Sequence, residues 1–200
     1  MSAFFFILAG FFSGSVPYSV WIGRWLLRAD IRTYGDGNPG STNVFRAGGK
    51  LSGLLAVLLD GFKAAIPIGL AAYWAHLPTP ALFAAALAPV LGHMFSPFLR
   101  GKGGKGVAAV FGMWAGLTFG EVPILLGIFM GLWVFVTDSS AWAVMLSLLG
   151  VLAHLLLNHR DPFLLMVWAA SSALLVWTHR AELKQAPRLR PIKKPRQQPQ

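Results

Sequence analysis

The amino-acid sequence predicts an all-α membrane protein, a polytopic bundle of about seven transmembrane helices. Of its 200 residues, 56% are hydrophobic and only 12% are charged, whereas a soluble domain carries roughly 25% charged residues. The apolar residues come in runs close to the roughly 20 residues needed to span a bilayer. Basic residues concentrate in alternate connections between these runs, the pattern typical of cytoplasmic loops. Together these observations favour one integral membrane domain over residues 1–185.

Seven apolar runs account for the predicted helices. Pro17 interrupts the first run, so a neighbouring group must satisfy the carbonyl that the proline leaves unpaired. Gly10 and Gly14 have the small-residue spacing that lets another helix approach closely, as do Gly112 and Gly116. Several later runs are at the lower length limit for a span, which leaves partial or re-entrant helices open. The predicted spans are residues 3–27, 51–74, 80–98, 107–119, 122–136, 141–157 and 162–178.

The distribution of charge predicts the orientation of these helices. With seven spans, the connections after the first, third, fifth and seventh share one side, and the opposite connections contain only one basic residue, Arg160. This places the N-terminus outside and the C-terminus in the cytoplasm, whereas six spans would place the basic C-terminal tail outside. Residues 186–200, rich in proline, glutamine, lysine and arginine, are expected to form a disordered cytoplasmic tail near anionic lipid.

Composition also excludes several classes of function. Topology and anionic lipid explain the net charge of +10 more simply than nucleic acid does, so no nucleic-acid partner is expected. The absence of cysteine rules out a thiol nucleophile, a disulfide and a thiolate zinc site. No cluster of His, Asp and Glu has metal-ligand spacing, and His76, His154 and His159 are interpreted as interfacial residues. We therefore expect neither a metal nor a cofactor.

The polar connection at residues 35–46 is the stretch around which we expect a site to form. Its glycines allow positive φ angles and close approach of a ligand, and successive amide groups in such a turn form an anion-binding nest. Arg46 adds a charge-assisted partner for phosphate. A flexible basic connection is the simpler alternative, but the density of polar side chains favours a ligand. The candidates are Gly37, Asn38, Gly40, Thr42, Asn43 and Arg46.

A second connection with the same chemistry, residues 101–106, lies on the same predicted side of the membrane. Both connections match the spacing G-x-G-x-x-G, but neither follows a strand, so a dinucleotide-binding βαβ unit is rejected. Neither contains the Gly-Lys-Ser or Gly-Lys-Thr of a Walker A loop. Two phosphate-binding loops on a membrane protein predict an enzyme that acts on phosphorylated substrates at the bilayer surface. The candidates here are Lys102, Gly103, Gly104 and Lys105.

Three ionisable residues within the apolar runs are further candidates. Asp60 and Lys63 are three residues apart and therefore share one helix face. They form either a structural ion pair or part of a substrate site, in which Lys63 would be the better partner for phosphate. His93 ends an apolar run before the second loop, where it is suited to act as a general base on a hydroxyl. An interfacial hydrogen-bonding role is the alternative for this histidine.

In combination these residues resemble the membrane-integral bacterial glycerol-3-phosphate acyltransferases that use acyl phosphate as donor. The resemblance covers about the first 110 residues. The family's first motif is similar to Gly14-Ser15-x-Pro17 and residues 30–46, its Asp-x-x-Lys pair to Asp60 and Lys63, and its second motif to Leu91-Gly92-His93 with residues 102–108.

The resemblance implies a reaction at the start of phospholipid synthesis. A fatty acyl group is transferred from acyl phosphate to the 1-hydroxyl of glycerol 3-phosphate, and lysophosphatidic acid and phosphate are formed. It also implies a multi-pass protein of the bacterial inner membrane with its active site facing the cytoplasm. On this basis Arg46, Lys105 and the first loop's amides hold glycerol 3-phosphate, while the second loop with Lys102 holds acyl phosphate. The oligomeric state stays open.

The same resemblance implies roles for the remaining candidates. His93 is the expected base, and a phosphate oxygen of the substrate is the alternative acceptor of the proton. Asn38 and Asn43 are expected to donate to an oxyanion or to a glycerol hydroxyl. The family's third motif is matched by His179-Arg180, which adds His179 to the substrate-binding candidates.

The chain also departs from the family pattern. Asp36 stands where serine is usual, and Ala181-Glu182 follow the third-motif pair in place of an acidic residue and asparagine. An aspartate only accepts hydrogen bonds, and its charge repels phosphate. Asp36 either caps the loop through backbone amides or belongs to a changed catalytic site, paired with Arg46 or Lys105 or bound to a glycerol hydroxyl; we favour the second.

These departures keep two other functions open. One is a membrane protein that binds or transports phosphorylated solutes. The other is a non-catalytic or altered-substrate paralogue.

Overall fold

The computed structural model describes residues 2–190 and is helical throughout that range apart from loops and one isolated β-bridge. The helices are α1 Ala3–Ser15, α2 Tyr18–Leu26, α3 Ser41–Arg46, α4 Lys50–Gly69, α5 Thr79–Met94, α6 Val107–Thr118, α7 Glu121–Val136, α8 Ser140–His154 and α9 Pro162–Leu183. Short 3₁₀ turns lie at Ile31–Thr33 and Pro97–Leu99, and α4 and α8 end in π-helical turns at Leu70–Trp74 and Leu155–His159.

The all-helical, multi-pass prediction is confirmed. Five segments among the described residues are long and apolar enough to cross a bilayer: Ala3–Leu26, Lys50–Trp74, Thr79–Leu99, Ser140–His159 and Pro162–Leu183. Helices α6 and α7 are shorter, at 12 and 16 residues. At 1.5 Å per residue, α6 is about 18 Å long, well short of the roughly 30 Å hydrocarbon core. The count of seven spans therefore stays a prediction.

Pro17 has no N–H to bond the Ser13 carbonyl, which accepts instead from the Val16 amide at 3.3 Å. Side chains from elsewhere in the bundle bond two further carbonyls at the break between α1 and α2. The carbonyl of Val16 accepts a hydrogen bond from Lys63 Nζ at 2.7 Å. The carbonyl of Ser15 accepts one from Ser96 Oγ at 2.5 Å. Without water in the bilayer, each unpaired carbonyl would cost several kcal/mol. The interrupted helix is thus held by residues of α4 and the segment after α5.

Two glycine contacts allow the helices to pack closely. A Cβ atom on Gly14 would collide with the backbone of Pro89 in α5, and one on Gly112 with the carbonyl of Gly61 in α4. The predicted packing role of these glycines is confirmed. The core of the bundle forms around Met113 and Trp114 of α6, which are fully buried.

The end of the described chain lies against the connection between α7 and α8. The amide of Asp138 donates to the carbonyl of Arg188, and the amide of Arg190 donates to Val136. Residues 186–190 of the predicted disordered tail therefore adopt a defined path, with Leu189 bridged to Thr137. The rest of that predicted tail, residues 191–200, lies outside the described residues.

Candidate functional site

The first loop is organised by Asn43, which is buried on the short helix α3. Its Nδ2 donates to Asp36 Oδ1 at 3.1 Å and to the Asn38 carbonyl at 2.9 Å, and its Oδ1 accepts from Arg46 at 2.9 Å. Gly35 has φ +56°, and a Cβ there would collide with the Arg46 guanidinium. Both N–H groups of the Asn43 amide are therefore used within the loop, so Asn43 positions the residues around it.

The second loop folds back over the end of α5. The amide of Gly103 donates to the Met94 carbonyl at 3.0 Å, and that of Gly104 to the His93 carbonyl at 3.1 Å. A Cβ on Gly104 would collide with the His93 imidazole. Glycine is needed here because the loop backbone runs directly against the histidine ring.

A hydrogen bond joins the two loops, which are more than sixty residues apart in sequence. Asn38 Oδ1 accepts from the Lys105 backbone amide at 3.0 Å. Helix α9 joins the same assembly, because Thr178 Oγ1 donates to the Lys105 carbonyl at 3.0 Å. The predicted convergence of the two loops on one side of the bundle is thus observed. Among the described residues, the Asn38 side-chain N–H groups have no hydrogen-bond partner.

Lys105 is held between two carboxylates. Its Nζ lies 2.6 Å from Asp36 Oδ2 and 2.6 Å from Glu182 Oε1. Burial lowers the pKa of Lys105, but the bonds to these carboxylates outweigh it and leave the pKa above its ordinary value. For Asp36, burial raises the pKa and the Lys105 bond outweighs it, so the pKa lies below its ordinary value. The pair is therefore fully ionised at neutral pH.

This geometry distinguishes the two explanations for Asp36. The backbone bond to Asp36 Oδ1 is long, at 3.3 Å from the Asn38 amide, and the same oxygen accepts from the Asn43 side chain and lies 3.7 Å from Arg46. The short contact is with Lys105. The pairing with a basic residue that the sequence favours is present, and the backbone cap is a minor contact.

Asp60 and Lys63 form a buried ion pair. Their side chains are each 2% exposed, and Lys63 Nζ lies 2.6 Å from Asp60 Oδ1. Asp60 Oδ2 accepts from Ser19 at 2.5 Å. Lys63 also supports the Val16 carbonyl, as described above. These contacts match the structural alternative for Lys63, which does not line the main polar cavity.

Eight of the predicted catalytic and binding residues line a cavity of about 290 Å³ between the two loops and α9. Buried His93 and His179 both line it. The ring of His179 is oriented by Nδ1, which donates to the Leu175 carbonyl at 2.8 Å. Its Nε2 is then an acceptor, and no described residue bonds to it. The predicted residues on the wall are Asp36, Asn38, Gly40, Thr42, Arg46, His93, Lys105 and His179.

Three predicted residues line an adjoining recess instead. Gly37, Lys102 and Gly103 face a recess of about 460 Å³, together with Arg32 and Arg100. Asp36, Asn38 and Lys105 border both spaces. The recess is therefore a second basic compartment beside the main cavity.

An apolar groove opens from the main cavity. Apart from Thr42, none of the residues that line it was a predicted site residue. It has a volume of about 470 Å³ and runs between α4, α6 and α7. Residues 41–42, 107–108 and Met130 line both the groove and the polar cavity. The groove's apolar lining includes Phe45, Leu58, Phe62, Phe111 and Pro123.

Glu182 is a further polar residue beside the site. The sequence analysis noted it only as a departure from the family pattern. It lies three residues after His179, on the same face of α9, and this spacing was the available signal. One of its oxygens, Oε2, is buried and has no hydrogen-bond partner among the described residues. Glu182 lines a neighbouring space with Gln185 and Arg188 rather than the cavity itself, and its contact with the site is the ion pair with Lys105.

The cavity carries two basic and two acidic side chains, Arg46, Lys105, Asp36 and Asp60, and it continues into an apolar groove. Together these features suit a membrane protein for amphiphilic, phosphorylated compounds. Comparison with known proteins identifies the group. The family model described as glycerol-3-phosphate acyltransferase matches residues 4–188. The chain belongs to that acyltransferase family.

Similar proteins cover nearly all of the chain. A glycerol-3-phosphate acyltransferase of Methylobacillus flagellatus is 34% identical, over 90% of each chain. One from Aromatoleum aromaticum is 35% identical, over 92% of each chain. The crystal structure of PlsY (YgiH), an integral membrane glycerol 3-phosphate acyltransferase in its glycerol 3-phosphate form, matches with a TM-score of 0.82 and 29% identity. It covers 92% of this chain and 91% of that one. The lysophosphatidic acid form matches with a TM-score of 0.81.

Proposed function

We propose that this protein transfers a fatty acyl group from acyl phosphate to the 1-hydroxyl of glycerol 3-phosphate. The products are lysophosphatidic acid and inorganic phosphate. The observation that carries the proposal is the direct junction between the polar cavity, which has Arg46 and Lys105 on its wall, and the apolar groove. A phosphorylated, fully polar acceptor fits the first space, and a donor with a fatty tail fits both. The forms in which PlsY was crystallised, with glycerol 3-phosphate and with lysophosphatidic acid, support the same pair of compounds.

Glycerol 3-phosphate occupies the polar cavity. Arg46 and Lys105 offer the charge-assisted donors that a phosphate requires, and both line the cavity wall. Lys105 spends two of its three N–H groups on Asp36 and Glu182, which leaves the third for the phosphate. Glu182 holds the Lys105 ammonium in place without lining the cavity itself.

The donor's acyl chain lies in the apolar groove between α4, α6 and α7. Its carbonyl and phosphate then reach the polar cavity at Thr42 and the N-terminus of α6, residues 107–108, where groove and cavity meet. The positive end of the helix dipole favours an anion at this position. Lys102 faces the adjoining recess with two arginines, so we assign it to the attraction of phosphorylated substrates rather than to direct contact in the cavity.

The reaction is an acyl substitution at an already activated carbon. The glycerol C1 oxygen attacks the acyl carbonyl, the bond from that carbon to the phosphate oxygen breaks, and phosphate leaves with the electron pair. The proton of the hydroxyl passes to His93 or to a phosphate oxygen of the substrate. The unpaired side-chain N–H groups of Asn38 donate to the developing oxyanion, because the Lys105 amide fixes the orientation of that side chain. Positioning and charge stabilisation are sufficient, since the donor needs no covalent enzyme intermediate.

The protein has its site on the cytoplasmic side of the bacterial inner membrane, with the N-terminus outside and seven passages through the bundle. The two basic loops, the α7–α8 connection and the end of α9 meet at one end of the bundle. The excess of basic residues at that end favours a cytoplasmic location.

Turnover of the purified protein in lipid tests the proposal. Wild type is incubated with acyl phosphate in the presence and absence of glycerol 3-phosphate, and inorganic phosphate and lipid products are measured. We expect phosphate release that depends on glycerol 3-phosphate and is matched by lysophosphatidic acid. Binding of both compounds without turnover would favour a binding or non-catalytic paralogue. Turnover with a different phosphorylated alcohol would favour an altered acceptor.

A further inference from the structure

Three metal-ligating side chains meet at the end of the bundle opposite the polar cavity. His154 Nε2 lies 2.8 Å from Glu121 Oε1, and His159 Nε2 lies 2.9 Å from the same oxygen. One ligand atom from each of the three residues lies within 4.8 Å of the other two. Glu121 begins α7 and His154 ends α8, whereas the other ends of both helices adjoin the cavity side. The cluster is therefore separate from the acyl-transfer site.

The π-helical turn at the end of α8 brings the two histidines together. In a regular α-helix, residues five apart differ by about 140° and do not share a face. The turn Leu155–His159 adds a residue to the helical repeat and closes with a bond of 2.8 Å from the Arg160 amide to the Leu155 carbonyl. His154 and His159 consequently face each other, with ring centroids 5.3 Å apart. Such π-turns are frequent at functional sites.

The ring of His154 is also held by the side chain of Asn158. Asn158 Nδ2 lies 3.1 Å from His154 Nδ1 and 3.1 Å from the His154 carbonyl. A neighbour on Nδ1 leaves Nε2 as the nitrogen that points toward Glu121. Zinc on Nε2 leaves the histidine proton on Nδ1, so the Asn158 amide, which donates to the His154 carbonyl, has to shift when the metal binds.

We propose that Glu121, His154 and His159 bind a divalent transition-metal ion, with Zn²⁺ the best fit. Two imidazoles and one carboxylate are a zinc ligand set, and water completes the tetrahedron. Tetrahedral ligands at roughly 2.0–2.1 Å from zinc are separated by roughly 3.4 Å, so the contacts of 2.8 and 2.9 Å need to open only slightly. Mg²⁺ and Ca²⁺ prefer oxygen ligands and fit poorly. The bound ion connects the α6–α7 turn to the end of α8.

Sequence reasoning found no metal-ligand spacing because the carboxylate and the imidazoles are far apart in the chain. Glu121 is 33 residues from His154, and the five-residue histidine spacing becomes compatible only through the π-turn. This proposal replaces the expectation of no metal and the interpretation of these two histidines as interfacial residues.

Metal binding is tested on untagged, full-length protein treated with chelator and then desalted. Zn²⁺ is titrated in, bound metal is counted, and the melting temperature is recorded with Zn²⁺ and with Mg²⁺. We expect one Zn²⁺ per chain, a rise in melting temperature with Zn²⁺ alone, and at least tenfold weaker binding for His154→Gln and for His159→Gln. The matched control is His76→Gln, an exposed histidine on the same side of the bundle, which should bind as wild type does.

Cobalt provides a second readout that does not depend on stability. Co²⁺ bound to the wild type should show the intense visible absorption of a tetrahedral site, and both cluster variants should lose it. Glutamine still donates to Glu121, so the variants should melt like chelated wild type. Equal metal uptake by wild type and both cluster variants, or no uptake by wild type, would overturn the proposal. Acyltransferase turnover should be the same before and after chelation, which separates this site from the reaction.

Discussion

Replacement of Asp36 by asparagine tests how this chain's cavity handles a phosphate. Asp36 Oδ2 lies 2.6 Å from Lys105 Nζ. A phosphate oxygen on the remaining N–H of Lys105 would be roughly 2.8 Å from Nζ. With tetrahedral angles at the nitrogen, carboxylate and phosphate oxygens are then roughly 4.4 Å apart. Two unit charges at that distance repel by about 0.9 kcal/mol in water and by about 4 kcal/mol at an effective dielectric constant of 20.

The lower value is the appropriate one for this residue. The Asp36 side chain is 37% exposed, so solvent screens the repulsion. Asp36→Asn should therefore lower the KM for glycerol 3-phosphate about fivefold, with only a small loss of thermal stability, because a half-exposed ion pair contributes less than about 1 kcal/mol. Asp36→Ser should also keep activity, because a serine hydroxyl can donate to phosphate.

The assay is phosphate release as a function of glycerol 3-phosphate concentration, with melting measured in the same detergent. Asp138→Asn is the matched control: it makes the same chemical change at the rim of the cleft, where no contact with Lys105 is observed among the described side chains. A raised KM for Asp36→Asn would show that the carboxylate assists binding. Unchanged kinetics with a large fall in melting temperature would leave Asp36 as a loop cap only.

Two further predictions concern the contacts of Arg46, Lys105 and Asp36, and a third concerns the topology. Arg46→Ala and Lys105→Ala each remove a charged phosphate partner worth about 1.5–3 kcal/mol, so kcat/KM should fall roughly ten- to hundredfold. Arg190→Ala, an exposed control, should leave kcat/KM unchanged. An equal fall in kcat/KM for Arg190→Ala and for the two loop variants would rule out a specific site. The Asp36 pKa is lowered and the Lys105 pKa raised, so their pair stabilises the fold above about pH 4 and below about pH 10. The melting difference between wild type and Lys105→Met should be constant from about pH 5 to 9 and shrink outside that window; a steady slope across it would contradict the assignment. In intact cells, a cysteine at Thr33 should resist an impermeant thiol reagent and one at Asp161 should react, and the reverse pattern would invert the topology.

The sequence was sufficient to predict the helical membrane fold and the two loops, because both leave local signals. Apolar runs reveal helices, and the glycines and basic residues of the loops are contiguous in the chain. The meeting of Asn38 with the Lys105 amide is a contact between distant segments, which no local pattern encodes. Its prediction rested on topology alone, since both loops were assigned to one side of the membrane.

Other features depend on tertiary packing and were missed or left undecided. Whether Lys63 supports the backbone depends on where the broken α1–α2 helix lies, and the bond to the Val16 carbonyl could not be read from the sequence. Glu182 joins the site because α9 places it against Lys105. The histidine cluster requires a π-turn, which the helix periodicity of the sequence does not predict. The 12-residue length of α6 was visible in the sequence, although its consequence for the number of spans is not.

The fate of the bridging oxygen in acyl phosphate shows whether the protein transfers the acyl group. Acyl phosphate labelled with ¹⁸O between the carbonyl carbon and phosphorus is given to the protein in lipid with glycerol 3-phosphate, and the products are analysed by mass spectrometry. Acyl transfer breaks the bond between the carbonyl carbon and the bridging oxygen. We therefore expect one lysophosphatidic acid per phosphate released, with all of the label in the phosphate. Label retained in free fatty acid, with the phosphoryl group on the acceptor, would contradict it.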